Sequence, residues 1–329
     1  MGRIKIIIFW VIILEMFTVT SGFGDTKSLE GIIRYTPIED TKSVYGVLNC
    51  RGSTNVGDLL TKWLPAFQHY YPEVESNLDF KGSSDGIKGL IAETANVGAT
   101  SRPIKKRELE EFRALKGYFP TEIKVSLDAL AIYVNRLNKL ETITLDELDA
   151  VFSSTLKREY SKSILTWLPL TGMESNLTIY LFNKDSGARS YFRDKVMLKG
   201  EYNMDNVVSD EYTLLSQVIN KVANDKDGIS FGSVGAKNFK VKTVALAKRK
   251  YFPAYYPSEK EIKAGNYPLT RFLYIYLDVP PDKAIPKLLY EFCKFILSYD
   301  GQATVVREGK LPLSPKLIGI ELSKLRRGE

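Results

Sequence analysis

One histidine and two cysteines serve a chain of 329 residues. With His69 alone, a zinc site built on several imidazoles is excluded, and any Ser-His-Asp triad has no other base to use. His69 stands in Phe67-Gln68-His69-Tyr70-Tyr71, near the end of an amphipathic stretch, and reads more simply as an exposed helix-end residue than as a catalyst. Cys50 and Cys293 lie far apart in sequence among apolar neighbours. Two buried free thiols acting as small hydrophobes account for them, and two cysteines do not make a disulfide-built fold. There is no Walker loop, dinucleotide fingerprint or metal-spaced Cys/His set. No cofactor, metal or enzymatic chemistry is therefore expected. Low-complexity segments and repeats of solenoid length are also missing.

The N-terminal residues carry the one distinctive apolar run. Arg3 and Lys5 precede Ile6 to Leu14, and small and polar residues follow through Gly24. That run is too short to span a bilayer as a stable helix, and the pattern is that of a secretory signal peptide over residues 1–24, although Glu15 is unusual directly after it. A single N-terminal membrane anchor is the alternative reading. No cysteine lies near the cleavage zone, so a lipid anchor is not indicated, and a periplasmic location is expected. The net charge of +7 is spread along the chain. Clusters such as Lys105-Lys106-Arg107 and Lys248-Arg249-Lys250 lack the Gly and aromatic interleaving of a nucleic-acid module and read as solvated faces, so no nucleic-acid partner is expected.

Apolar segments of strand and helix period alternate along the rest of the chain, which predicts an α/β fold with mostly parallel sheets. Val44–Leu48, Val74–Phe80, Asn96–Ala99, Leu177–Phe182 and Gly228–Gly232 read as short buried strands. Leu145–Phe152 reads as a helix opened by a Thr144/Glu147 capping box. Tyr212–Ala223 and Leu288–Leu297 read as helices, and Leu322–Glu329 as a charged tail. Two apolar runs, Ile123–Asn135 and Thr270–Leu277, are long enough to cross between lobes. They divide the chain into a first lobe of residues 25–127 and 270–329 and a second of 128–269, with a cleft between them.

Three junctions stand out. Gly52-Ser53-Thr54, Gly82-Ser83-Ser84 and Ser186-Gly187 each combine Gly with small hydroxyl residues directly before an amphipathic helix. Singly, each is an ordinary N-cap. A helix start also presents unpaired N–H groups and the positive end of the helix dipole, so three such starts meeting at one point would hold a small oxyanion. Arg102 and Arg189 lie within or beside these loops, where a guanidinium suits either an oxyanion or solvent.

These junctions also carry a resemblance. Gly52-Ser53-Thr54, Lys81-Gly82-Ser83-Ser84-Asp85-Gly86-Ile87, Val97-Gly98-Ala99-Thr100-Ser101-Arg102-Pro103, Asp185-Ser186-Gly187-Ala188-Arg189, Gly228-Ile229-Ser230-Phe231-Gly232, Tyr267-Pro268-Leu269-Thr270-Arg271 and Leu297-Ser298-Tyr299-Asp300-Gly301-Gln302 occur in order. Together they resemble the motifs of PstS-type phosphate-binding proteins, the extracytoplasmic receptors of phosphate ABC transporters. The resemblance implies a type II periplasmic-binding-protein fold of two α/β lobes that closes on phosphate or a related oxyanion like a hinged trap. It further implies a monomeric receptor that delivers its ligand to an ABC transporter permease. Carried over residue by residue, the contacts it implies come from Ser53, Thr54, Ser83 or Ser84, Ser101, Ser186 and Gly187, with Arg189 beside them.

The chain departs from the family pattern at three points. Ser101 stands where many such proteins have Asp, and a hydroxyl cannot repel sulfate by charge. Ala188 replaces a Thr, removing one donor, and the family's upstream Arg appears as Asn183 or Lys184. Those losses motivate a second reading, an interaction or sensory protein that keeps the fold without tight binding. An esterase built on one of the Ser loops comes third.

Overall fold

The computed structural model describes residues 26–236 and 238–326. The expected signal peptide, residues 1–24, lies outside the described residues.

The first lobe begins with β1 (Gly46–Gly52), α1 (Thr54–Tyr70), β2 (Val74–Asp79), α2 (Ser83–Ile91), β3 (Val97–Thr100) and α3 (Lys106–Lys116). Val56, Leu59, Leu60, Trp63, Leu64 and Phe67 recur at helical spacing on α1, so one face of that helix is wholly buried. The chain then leaves on β4 (Thr121–Asn135), whose 15 residues reach about 50 Å at strand rise.

The second lobe follows with β5 (Thr142–Thr144), α4 (Leu145–Phe152), α5 (Leu168–Thr171), β6 (Thr178–Phe182), α6 (Gly187–Lys195), β7 (Val207–Tyr212), α7 (Leu215–Ala223), β8 (Gly228–Ser233), β9 (Val241–Thr243), β10 (Ala245–Ala247), β11 (Ala254–Tyr255) and α8 (Glu259–Lys263). The capping box forms at α4: Thr144 Oγ1 accepts from Glu147 N (3.1 Å), and the Glu147 carboxylate accepts from Thr144 N (2.8 Å). The chain returns on β12 (Thr270–Leu277) and closes the first lobe with α9 (Lys287–Ile296), α10 (Tyr299–Arg307) and α11 (Pro315–Ser323).

One sheet runs through both lobes in the order β2-β1-β3-β12-β4-β8-β6-β7, with β9 on β4. It is mixed rather than mostly parallel. The outer strands of each lobe pair in parallel, whereas β12 is antiparallel to β3 and β4, and β4 is antiparallel to β8. A chain that leaves on one strand and returns on its neighbour has to run in opposite directions on the two.

The cores are separate. Ile123 and Val125 of β4 and Leu273, Ile275 and Leu277 of β12 belong to the first; Ala129–Val134 and Leu269 belong to the second. Between the two sets, Asp128 faces Arg271 in register. A third segment also ties the lobes: Leu127 N donates to Leu311 O (2.9 Å) and Leu311 N to Leu127 O (3.2 Å). Leu311 packs in the second core and Leu313 in the first. Cys50 and Cys293 are free and buried in the first core, where burial pushes the Cys50 thiol up to about 12.

Two local readings change. Tyr212 ends strand β7 and the helix starts only at Leu215, because Thr213 N and Leu214 N are both capped by Gln217 Oε1 (3.1 and 3.0 Å). The C-terminal segment is not a charged tail from Leu322: α11 runs to Ser323, and Leu325 is buried against the first core.

Candidate functional site

The loops that follow β1, β2, β3 and β6 all open toward the gap between the lobes. They are stitched together by backbone: Ser53 N donates to Ala99 O (2.9 Å) and Gly82 N to Gly52 O (2.8 Å). Ser53, Gly82 and Ser186 occupy the N-cap positions of α1, α2 and α6. At α1 and α2 no side chain caps the first turn, although Asp85 N of α2 donates to Gly82 O (3.1 Å). Ser186 Oγ accepts from Arg189 N (3.4 Å).

The two lobes touch at this point. A Cβ on Gly187 would overlap the hydroxyls of Ser83 and Ser101 across the gap, and one on Gly82 (φ 154°) would overlap the carbonyl of Asp185. Both positions demand glycine for close approach. Thr54 Oγ1 donates to Thr213 O (3.1 Å), a further contact between lobes. On the far side of the cleft, the Gly235 backbone closes on the Gly309 carbonyl.

Behind these contacts lies a cavity of about 470 Å³. Ser53, Thr54, Gly82, Ser101, Ser186 and Gly187 line it. Ser83 sits just behind, fully buried, where its Oγ accepts from Ser101 N (3.0 Å) and lies 3.3 Å from Ser101 Oγ. Ser84 and Arg189 are not among the lining residues. Ser84 Oγ instead accepts from Arg102 Nη2 (3.1 Å). Arg189 Nη1 donates to Phe182 O (2.8 Å) and to Asp210 Oδ2 (3.0 Å), and its guanidinium lies over the Tyr202 ring. Its sequence position beside the loop does not set its direction, because a long side chain on the first turn of α6 folds back toward β7.

Arg102 is likewise committed elsewhere. It is buried and forks onto Glu108 through Nη1–Oε2 (2.8 Å) and Nη2–Oε1 (2.6 Å). Burial alone would raise the Glu108 carboxyl, but the bonds and charge of Arg102 outweigh it and hold the group below its usual range. A depressed carboxylate stabilises the fold above the ordinary carboxyl range and loses that contribution as pH falls through its folded value. Glu108→Gln is therefore expected to cost about 2 kcal/mol at pH 7, as for a hydrogen bond to a charged group. In urea titrations the gap between variant and parent should narrow as the pH falls toward 3; a gap independent of pH would contradict this.

Sequence reading missed the floor of the cavity. Asp128, fully buried, accepts on Oδ2 from Arg271 Nε (2.9 Å) and from Asn55 Nδ2 (3.2 Å) and is ion-paired there with Arg271 Nη2 (2.8 Å), while Ser233 Oγ donates to its Oδ1 (2.5 Å). Asn55, Ser233 and Arg271 line the cavity, and Arg271 Nη1 is buried without a hydrogen-bond partner. The signal was present in the sequence: Asp128 is the one carboxylate of the apolar run Ile123–Asn135, and Arg271 the one cation of Thr270–Leu277. His69 lies elsewhere, exposed on a groove between α1 and α10.

Comparison with known proteins agrees with this architecture. A model of the PBP superfamily domain matches residues 38–300. The phosphate-binding protein PstS of Pseudomonas aeruginosa is 34% identical over 304 residues, which is 91% of this chain and 93% of that protein. Among solved structures, an ABC-type phosphate transport receptor from Vibrio cholerae superposes with a TM-score of 0.64 at 20% identity, covering 81% of this chain and all of that one. PstS from Borrelia burgdorferi superposes with a TM-score of 0.55 at 21% identity, covering 81% and 98%. The structural likenesses establish the two-lobed fold, and the sequence likeness adds the family: the chain belongs to the PstS-type phosphate-binding proteins of the PBP superfamily.

Proposed function

We propose that this protein is an extracytoplasmic receptor that captures inorganic phosphate and presents it to the permease of an ABC transporter. The observation that carries the reading is the meeting of the α1, α2 and α6 starts at one cavity between the lobes. Backbone N–H groups at helix starts and the hydroxyls of Ser53, Ser101 and Ser186 supply donors, and Gly82 and Gly187 let the lobes approach closely enough for both to reach one small anion. The names of the P. aeruginosa and V. cholerae proteins support phosphate as that anion. Residues 25–127 with 270–329 and residues 128–269 act as the two jaws, and the receptor works as a monomer. Binding is non-covalent, with no bond made or broken in the ligand.

Calorimetric titration of the purified protein with phosphate tests this directly. If phosphate, arsenate and sulfate all give no heat and no thermal stabilisation, the receptor reading fails. Ser186→Ala removes a hydroxyl from the cavity wall and a cap from α6, and is expected to weaken phosphate by about 1–2 kcal/mol. Unchanged affinity would place the anion away from α6.

A further inference from the structure

We propose that Arg271 is the cationic group that reads the charge of the bound oxyanion, presented to the cavity by Asp128 at the crossing of the lobes; this rests on the receptor reading above. The guanidinium is 1% exposed. Its Nε and Nη2 are both spent on Asp128 Oδ2. Nη1 has no partner, although Arg271 lines the cavity. Buried donors are almost always satisfied, and one on a charged group is costly to leave unmade. The guanidinium also lies over the Tyr191 ring, 5.6 Å from its centroid, which leaves the Nη1 hydrogens without an oxygen acceptor, and an anion is the acceptor a guanidinium favours.

Arg307 and Lys310 also line the cavity, with Arg307 Nη2 donating to Thr304 Oγ1 (2.7 Å), whereas the three other cations nearby are committed elsewhere. Arg102 and Arg189 are committed to Glu108 and Asp210. Lys81 lies at the cavity's edge, 67% exposed, and is paired with Asp79 (2.8 Å), so water and salt screen its charge. Asp128 does not compete for the anion as a free carboxylate. Its oxygens are occupied by Arg271, Asn55 and Ser233, so it acts as a positioning residue. Two of those partners come from opposite lobes, Asn55 from α1 and Ser233 from β8. An anion held by Nη1 is thereby fastened to the hinge itself, and its presence is felt by both lobes through one carboxylate.

The test uses the full mature chain and inorganic phosphate. Asp128→Asn with Arg271→Gln removes both charges together, so no unpaired charge is left buried. This variant is expected to keep its far-UV spectrum and to bind phosphate about 100-fold more weakly; Arg271→Lys, which keeps charge without the fork, about 10-fold more weakly. Asp128→Asn alone is expected to weaken phosphate binding at an unchanged melting temperature, which a merely structural role of the pair would not do. In the unmutated, arginine-labelled protein the Arg271 Nε resonance should move on phosphate addition and saturate with the calorimetric isotherm, a measurement that does not depend on any variant folding. If wild type binds phosphate but the resonance stays fixed, or the double variant binds within about 3-fold of wild type, Arg271 is not the reader and the receptor reading survives. If wild type binds no oxyanion, the receptor reading itself is lost.

Discussion

Gly187→Val is expected to abolish phosphate binding while leaving the protein folded. Position 187 opens α6 and faces Ser83 and Ser101 of the opposite lobe so closely that even a methyl group would strike both hydroxyls. Neither serine has room to withdraw, since both are buried and bonded to one another. A branched side chain must therefore hold the lobes apart, and the α6 donors can no longer reach an anion that rests on α1 and α2. Forfeiting two charge-assisted hydrogen bonds corresponds to about 1,000-fold in affinity. The added side chain enters the gap against Ser83 and Ser101 and displaces no core residue, so the urea midpoint without ligand should stay close to that of the parent. Titration calorimetry reads the first effect and urea unfolding the second. Binding within 10-fold of the parent would mean that the lobe contact at Gly187 is not the ligand-bound arrangement.

The largest stability loss is expected from Phe231→Ala. Phe231 lies fully buried on β8, stacked on Phe192 with ring centroids 4.0 Å apart and planes 6° from parallel. Phe152 and Phe182 pack around the same ring at 5.6 and 6.2 Å. Truncation leaves a cavity lined by three aromatic rings that cannot all close in, which places the cost at about 3–5 kcal/mol. Each core holds one buried tryptophan, Trp63 in the first and Trp167 in the second. Fluorescence-detected urea unfolding in Trp63→Phe and Trp167→Phe backgrounds can thus report the lobes separately. The Trp167 signal should move to much lower urea than the Trp63 signal; coincident transitions would show that the continuous sheet makes both cores one cooperative unit.

The elements that sequence reading located are those whose signals are local. Caps and apolar spacing on α1, α2, α4 and α6 lie within a few residues of each other, and β4 and β12 declared themselves by length. Strand β7 did not, because Val207–Tyr212 is an edge strand with polar alternation and no fully buried position. The cavity wall was partly legible for the same reason as the caps, since Ser53, Ser101, Ser186 and Gly187 each sit in a recognisable turn. Its floor was not. Asp128 and Arg271 are 143 residues apart, and only the register of β4 against β12 brings them together. Arg189 shows the converse: proximity in sequence suggested a cavity residue, while the direction of its side chain delivers it to Asp210.

The Leu127–Leu311 tie gives the hinge a property that two strands alone would lack. A two-stranded ribbon bends easily, and it also twists about its own length, so jaws joined only by β4 and β12 would wander through many relative orientations. A third segment bridged to β4 beside them opposes such twisting. The open receptor then surrenders little orientational freedom when it shuts, and more of the hydrogen-bond energy from the anion appears as affinity. In this arrangement Gly82 meets Asp185 and Gly235 meets Gly309, so the lobes are in contact at both places together.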